Sequence, residues 1–244
     1  MREGDEYSDR TGPLLRQAVT AATGNSPTDV NVTCCDDQQR LLIYIGLTGA
    51  SSRPFTYNAE PTGTSRLPPS IAALEARLET AIEAAVRKGG EAVKEDDGRG
   101  YALVNDPAAR ALQLAVRRYA LQHQLELSRA LESSDVEQRR VASEVLGYAR
   151  QSQPQILALV KACRDPDDEV RNNAARAIAV LARSNASVAR GIPPATFVEM
   201  LSAGVWTDRN KGAMVVERLT ATRNPELLAN LRATALDALI EMAE

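Results

Sequence analysis

Two stretches of the chain repeat one pattern of charged and small apolar residues at a fixed spacing. The first copy contains Asp135, Glu137, Arg139, Ala142 and Leu146, and the second contains Asp167, Glu169, Arg171, Ala174 and Ile178. Each residue of the second copy stands 32 positions after its counterpart (171 − 139 = 32). A period of this size is typical of solenoids, in which stacked helical hairpins cover one another's apolar faces.

The second copy begins with an Asp-Pro turn that favours the start of a helix. Asp165 is suited to accept hydrogen bonds from free backbone amides, and Pro166 is suited to the first helical position. The carboxylates from Asp167 to Glu169 complement the positive end of a helix dipole. The pattern therefore predicts that a helix begins at this turn.

Apolar residues on both sides of the turn recur at steps of three and four, as on one face of a helix. The upstream residues are Ile156, Leu159, Val160 and Cys163, and the downstream residues are Val170, Ala174, Ala177, Ile178 and Leu181. Two such helices joined by a tight turn make a helical hairpin. Because the second helix presents alanines, we expect the two helices to pack closely.

From about residue 105 to its end, the chain resembles the HEAT-repeat family. Hairpins of that family carry an Asp-Pro turn, then Val-Arg and small apolar residues, which are here Asp165, Pro166, Val170, Arg171, Ala174 and Ala175. A looser third repeat is predicted from PPATFVEML and TDRNKGAMVVERLTA, with Asp208 and Lys211 as its acid and base, and a final helix or half-repeat follows Asn224. The resemblance implies a mainly α fold, a right-handed α–α superhelix over residues 105–244 whose second helices line a concave surface.

Residues 1–104 are predicted to form a small N-terminal α+β unit. Two β-prone runs, Val30 to Thr33 and Leu41 to Leu47, predict a hairpin, and Phe55 to Asn58 is a candidate third strand. The stretch TGTSRLPPS is interpreted as a linker. Residues 70–88 are predicted to be a helix, and residues 91–100 an exposed loop.

The charge balance does not favour a nucleic-acid partner. There are 29 Lys and Arg against 32 Asp and Glu, without the basic stripe that phosphate recognition requires. The chain contains no run of about 18 apolar residues that would predict a membrane span, and its first ten residues are too acidic and polar for a secretory signal. We expect a cytoplasmic protein, with export and removal of a signal as the alternative.

No set of residues predicts a cofactor, a metal site or a catalytic centre. His123 has no second histidine for a metal pair, and the adjacent Cys34 and Cys35 lack C-x-x-C spacing. A nucleophile and base pair of Cys34 with His123 is an alternative without support from spacing. Two HEAT-like enzyme classes are further alternatives: lyases that attach bilins to phycobiliproteins, and DNA glycosylases, for which Trp206 and Asp208 offer an aromatic and acidic pair.

The resemblance implies a non-enzymatic scaffold or interaction module that binds another protein. Its candidate binding residues form an exposed, slightly basic ribbon on the concave surface: Arg140, Glu144, Asn172, Arg176, Arg183 and Lys211. Such a ribbon would take an acidic protein partner, and a solvated helix face with no binding role is the alternative.

A second set of residues is predicted to form a structural ladder between neighbouring repeats: Arg139, Asp165, Asp167 and Arg171. An arginine fork can bridge carboxylates and carbonyls of adjacent turns. Arg171 is therefore expected to bond Asp135, Asp165 or Asp167 rather than a ligand.

Overall fold

A computed structural model describes Ser8 and residues 10–33, 40–47 and 51–243 of the chain. The helices are α1 (Thr11–Thr23), α2 (Pro69–Lys88), α3 (Pro107–Ala130), α4 (Val136–Leu146), α5 (Gln153–Ala162), α6 (Asp168–Ser184), α7 (Ala186–Arg190), α8 (Ala195–Met200), α9 (Trp206–Thr220), α10 (Pro225–Thr234) and α11 (Leu236–Ala243). The strands are β1 (Asp29–Thr33), β2 (Leu42–Gly46), β3 (Glu95–Asp96) and β4 (Leu103–Val104). The fold is mainly helical, as predicted.

Three helical hairpins follow one another along the chain, formed by α3 with α4, α5 with α6, and α8 with α9. Their second helices pack side by side, with α6 between α4 and α9. One continuous apolar core runs through the hairpins and includes the buried, free Cys163. The hairpins therefore stack as repeats, and the predicted tail is divided into α10 and α11.

Asp165 accepts a hydrogen bond from a backbone amide as predicted, that of Asp167 at 2.9 Å, but α6 begins at Asp168, so Pro166 lies before the helix and not at its first position. Asp167, not Asp165, caps the helix, because its carboxylate accepts a hydrogen bond from the amide of Val170 at 3.0 Å. The Asp165 side chain is buried and turns towards Arg139 of the preceding repeat. The Asp-Pro turn thus separates two tasks, since one aspartate caps the helix and the other binds the neighbouring hairpin.

Two buried arginines join consecutive repeats. Arg139, with 1% of its surface exposed, contacts both carboxylate oxygens of Asp165, from Nε at 2.9 Å and from Nη2 at 3.1 Å. Arg171 donates from Nε to the Asp208 carboxylate at 2.8 Å and from Nη1 to the Asp165 carbonyl at 2.9 Å. Each arginine therefore binds the acid of the next repeat.

Arg171 bonds Asp165 as predicted, but it does so through the backbone carbonyl, and its carboxylate partner is Asp208 rather than Asp135, Asp165 or Asp167. Only the backbone carbonyl of Asp165 is retained among its partners. The carboxylate of Asp167 binds Arg140 instead, at 2.7 Å from Nη2. Asp208 is the acid of the third repeat, so its buried ion pair with Arg171 extends the ladder by one step.

An extended segment, residues 51–67, lies along the turns of the hairpins and is called the strap below. Its backbone bonds the third repeat first, then the second and then the first, through Arg53 to Ser202, Asn58 to Arg164, and Gly63 to Glu132. Tyr57 donates to Asp208 at 3.0 Å, and its ring lies 4.3 Å below the guanidinium of Arg171. The predicted linker is therefore bonded to the repeats, and the candidate third strand at 55–58 belongs to no strand or helix.

The predicted N-terminal hairpin is present and pairs β1 with β2 in antiparallel register. It packs at the start of α9, where the Asp29 carboxylate accepts from the Trp206 amide at 3.0 Å and the Tyr44 ring stacks on Trp206 at 4.3 Å. Cys34 and Cys35 lie outside the described residues. Helix α2 matches the predicted helix and shares its core with the repeats through Ile71 and Leu78, while the boundary at residues 104/105 remains a prediction.

Ala174 tests the closeness of helix packing in the second repeat. Its side chain is completely buried on α6, so Ala174→Leu should overpack the core and lower the free energy of unfolding by about 1–3 kcal/mol. Urea denaturation measures this change. Ala76→Leu, at an exposed position of α2, is the matched control, and equal midpoints for the two variants would contradict the packing.

The ladder predicts strong coupling between Arg171 and Asp208. Arg171→Met leaves a buried carboxylate unpaired and should cost about 3–5 kcal/mol of unfolding free energy. The double variant with Asp208→Leu should lose less than the sum of the two single changes, because neither charge is then left alone. Additive losses in urea denaturation would show that the pair is not coupled.

Candidate functional site

The predicted basic ribbon is present on α4 and α6, but its charges are already paired. Arg140 binds Asp167 and lies 3.2 Å from a Glu169 oxygen. Arg183 binds Asp97 at 3.1 Å, and Arg176 binds Glu95 and lies 4.0 Å from Glu144. The ribbon is therefore not a free cationic surface.

Strands β3 and β4 explain this pairing. The segment predicted as an exposed loop forms a short antiparallel pair, Glu95 with Val104 and Asp96 with Leu103, which is anchored by the buried Leu103 and Val104. It places the carboxylates of Glu95 and Asp97 against the arginines of α6. An acidic partner would have to displace these carboxylates before it reached the ribbon.

The remaining ribbon residues do not form a basic patch. Asn172 donates from its side-chain amide to Asn173 at 3.3 Å. Lys211 is half-buried on α9, where burial, and then the charge of Arg176, lowers its pKa. Glu144 lies near Arg176, across its guanidinium from Glu95, and lines a groove with many glutamates that is described next.

A groove lies between α2 and the second helices α4 and α6, and it is called the acidic groove below. Its volume is about 620 Å³. Apolar side chains of α2 form its floor, namely Leu78, Ile82 and Val86. Six glutamates stand around it: Glu75, Glu79, Glu83, Glu95, Glu144 and Glu169. Two arginines, Arg87 and Arg176, also line the groove.

Helix α2 lines the groove with a row of glutamates and a row of apolar residues. Glu75, Glu79 and Glu83 follow one another at every fourth position, as do Leu78, Ile82 and Val86. Residues four apart share a helix face, and the two rows are neighbours on that face. The acidic row thus borders the apolar row along about two turns of the helix.

The acidic groove carries an excess of negative charge that the described residues do not neutralise. Arg87 lies 3.7 Å from Glu83, and Arg176 lies between Glu95 and Glu144. Glu75 and Glu79 have no ion pair or hydrogen bond within the described part of the chain. Burial, followed by the charges of Glu144, Glu79, Glu169 and Glu137, raises the pKa of Glu75 to about 7.

The inner end of the groove is closed by a buried polar network. Gln113 of α3 donates from Nε2 to the Tyr148 hydroxyl at 3.2 Å and accepts from the Val104 amide at 2.9 Å. Burial, and then the charge of Glu144, raises the pKa of Tyr148, so its hydroxyl stays protonated. These contacts fix the groove wall.

The residues considered for enzymatic chemistry have structural contacts. Asp208 is buried and paired with Arg171, and Trp206 stacks on Tyr44. His123 lies at a kink of α3, stacks on Tyr119 at 4.2 Å and bonds Glu126 at 3.0 Å. Across the described ranges, no group of three or more His, Cys, Asp or Glu residues is placed to hold a metal ion.

The acidic groove was missed at the level of sequence, although part of its signal is present there. The sequence predicts α2 as a helix, but the glutamates along it carry no hint of their neighbours on α4 and α6. Glu144 was predicted to lie on the binding face, and it does line the groove. The sequence does not predict that α2 lies opposite the second helices.

Comparison with protein families identifies the second hairpin. A family model described as HEAT repeat matches residues 156–184, which span most of α5 and all of α6. This match confirms the resemblance deduced from the Asp-Pro turn and the residues after it. Searches of curated proteins and of solved structures found no match.

Glu75 makes the stability of the groove dependent on pH. The folded state holds its proton more tightly than the unfolded chain, so ionisation weakens folding as pH rises from 4.5, its ordinary pKa, to about 7. Glu75→Gln should therefore stabilise the protein relative to wild type at pH 8 and much less at pH 5. Urea denaturation at both values tests this, with Glu217→Gln on α9 as a control that should gain no stability at pH 8. A gain from Glu75→Gln that is the same at pH 5 and pH 8 would contradict it.

Proposed function

Because α5 and α6 form a HEAT repeat, we propose that the protein is a non-enzymatic interaction module that binds a segment of another protein. The binding site in this proposal is the acidic groove between α2 and the helices α4 and α6. The repeats supply one rigid wall and the N-terminal helix supplies the other. A right-handed superhelical path of the repeats is part of the same proposal.

The shape and lining of the groove carry the proposal. Val86 is 53% exposed at one end of the apolar floor, while Leu78 is buried at the other. An apolar floor surrounded by charged side chains has the arrangement of a protein interface, in which a dry centre is enclosed by a polar rim. Stacked repeats are known for presenting such extended concave surfaces to partners.

The predicted location of the binding residues changes accordingly. Glu144 and Arg176 line the groove, whereas Arg140, Arg183 and Lys211 are held outside it. The enzyme alternatives gain no specific observation, because Trp206 and Asp208 have contacts that maintain the fold. Within the part of the chain that the structure describes, no helix has the length and apolar character needed to cross a membrane.

Removal of the apolar floor tests the proposed site. Ile82→Gln with Val86→Gln replaces two residues of the floor, one helical turn apart. The matched control, Leu121→Gln with Leu125→Gln, replaces two exposed leucines of α3 with the same spacing outside the groove. We expect the groove variant to bind a captured partner about tenfold more weakly, as for the loss of about 1.4 kcal/mol of apolar contact.

The measurement is affinity capture with the whole chain, followed by titration of each identified partner against wild type and both variants. Thermal unfolding of each variant checks that the fold is retained, and Val86→Gln alone serves if Ile82→Gln weakens folding. Equal affinities of the groove and control variants would move the binding surface away from the groove.

A further inference from the structure

We propose that the segment bound in the acidic groove is a basic amphipathic helix, an inference that rests on the proposed function. Its apolar side would lie on Leu78, Ile82 and Val86, and its lysines or arginines would lie between the glutamates on the two walls. Amphipathic helices are commonly bound by laying an apolar face into a groove of this kind.

Charge complementarity is the first support. Six glutamates line the groove, and the two arginines beside them are already paired within the chain. Glu75 and Glu79, on the α2 wall, make no ion pair with a lysine or arginine among the described residues. A cation from a partner would supply what this wall lacks, since opposite charges across an interface favour association and exclude partners of the wrong sign.

The opposite wall shows how the groove receives a cation. The guanidinium of Arg176, which lines the groove, lies between Glu95 and Glu144, and just outside the groove that of Arg140 lies among Glu137, Asp167 and Glu169. In both places the chain supplies one arginine to several carboxylates. On the α2 wall Arg87 lies beside Glu83, whereas Glu75 and Glu79 make no ion pair among the described residues, which leaves positions for two cations spaced by one helical turn.

The spacing of the walls favours a helix as the bound form. Both the acidic row and the apolar row of α2 advance by four residues, so a helical partner with the same spacing meets them in register. On the partner helix the apolar row would border the row of cations, just as the apolar row of α2 borders its row of glutamates. The excess of carboxylates excludes nucleic acid, whose phosphates would be repelled.

An acidic partner, which the ribbon of arginines suggested, does not fit the same surface. Arg176 and Arg183 are occupied by Glu95 and Asp97, which are carried by the loop and strand next to the groove. An acidic helix in the groove would face six glutamates with no free arginine among its lining residues. The ribbon predicted an acidic partner, whereas the groove is proposed to bind a basic one.

The test uses fluorescein-labelled synthetic peptides of about 15 residues, long enough to form a helix on binding. One peptide has leucines and lysines each repeated at every fourth residue. In a second, glutamates replace the lysines, and in a third, serines replace the leucines. Fluorescence anisotropy with the full chain measures the affinity of each peptide. Unlabelled spermidine, a cation without an apolar face, is tested as a competitor that displaces the lysine–leucine peptide.

The lysine–leucine peptide should bind, and the other two peptides and spermidine should bind at least tenfold more weakly. Glu75→Gln with Glu79→Gln should reduce its affinity about tenfold, whereas Glu217→Gln with Glu226→Gln, which removes two glutamates outside the groove, should leave it unchanged. If the two double variants change the affinity for the lysine–leucine peptide equally, the proposal is overturned.

A pH comparison adds a second reading. Glu75 is faced by Glu79 of α2, Glu137 and Glu144 of α4, and Glu169 of α6, with Arg176 across the groove. Binding of the lysine–leucine peptide should be stronger at pH 8 than at pH 6, and Glu75→Gln should remove most of this difference. An affinity that does not change with pH in the wild type would contradict the placement of the cations beside Glu75.

The outcomes separate this inference from the proposed function. If captured partners depend on Ile82 and Val86 but the acidic peptide binds as well as the basic one, the groove is the site and the basic helix is wrong. If the lysine–leucine peptide binds and its affinity ignores both the glutamate and the Ile82 and Val86 substitutions, the basic helix is wrong; if captured partners ignore the Ile82 and Val86 substitutions as well, the groove is not the site and both proposals are wrong.

Discussion

The buried ion pairs of Arg139 with Asp165 and Arg171 with Asp208 set the positions of the hairpins. A charge taken out of water is costly unless its partner and hydrogen bonds are in place, so each guanidinium requires both its own turn and the next one. The turns are thereby held at defined separations, and α4, α6 and α9 lie side by side. The acidic groove depends on this alignment, because its second wall is made of two of these helices.

The repeats could be predicted because their signal is local. The spacing of 32 residues, the acids after Pro166 and the small apolar residues of α6 all act within one hairpin. The partner of Arg171 could not be predicted in the same way. Arg139 meets an acid 26 residues later, whereas Arg171 meets one 37 residues later, since the short helix α7 and its neighbouring turns intervene before the third repeat. A fixed offset misses such an insertion.

The binding surface was beyond reach from sequence for a related reason. The charge of α6 depends on residues far away in the chain, such as Glu95, which is 81 positions before Arg176. Read alone, the arginines of α4 and α6 form a basic ribbon. Once α2 and the β3–β4 segment are in place, the same helices border a groove dominated by carboxylates. Local periodicity shows which residues share a helix face, and only tertiary packing shows what lies opposite.

The strap changes the way in which a stack of repeats can come apart. In an open array each hairpin touches only its neighbours, so the ends can melt one repeat at a time. Here residues 51–67 bond all three turns in reverse order, and the β1–β2 hairpin reaches α9 from more than 150 residues away. Because one segment bonds all three turns, separation of the third hairpin would loosen the strap that also holds the first. Such distant closures slow the search for the native state and convert a progressive transition into a single cooperative one.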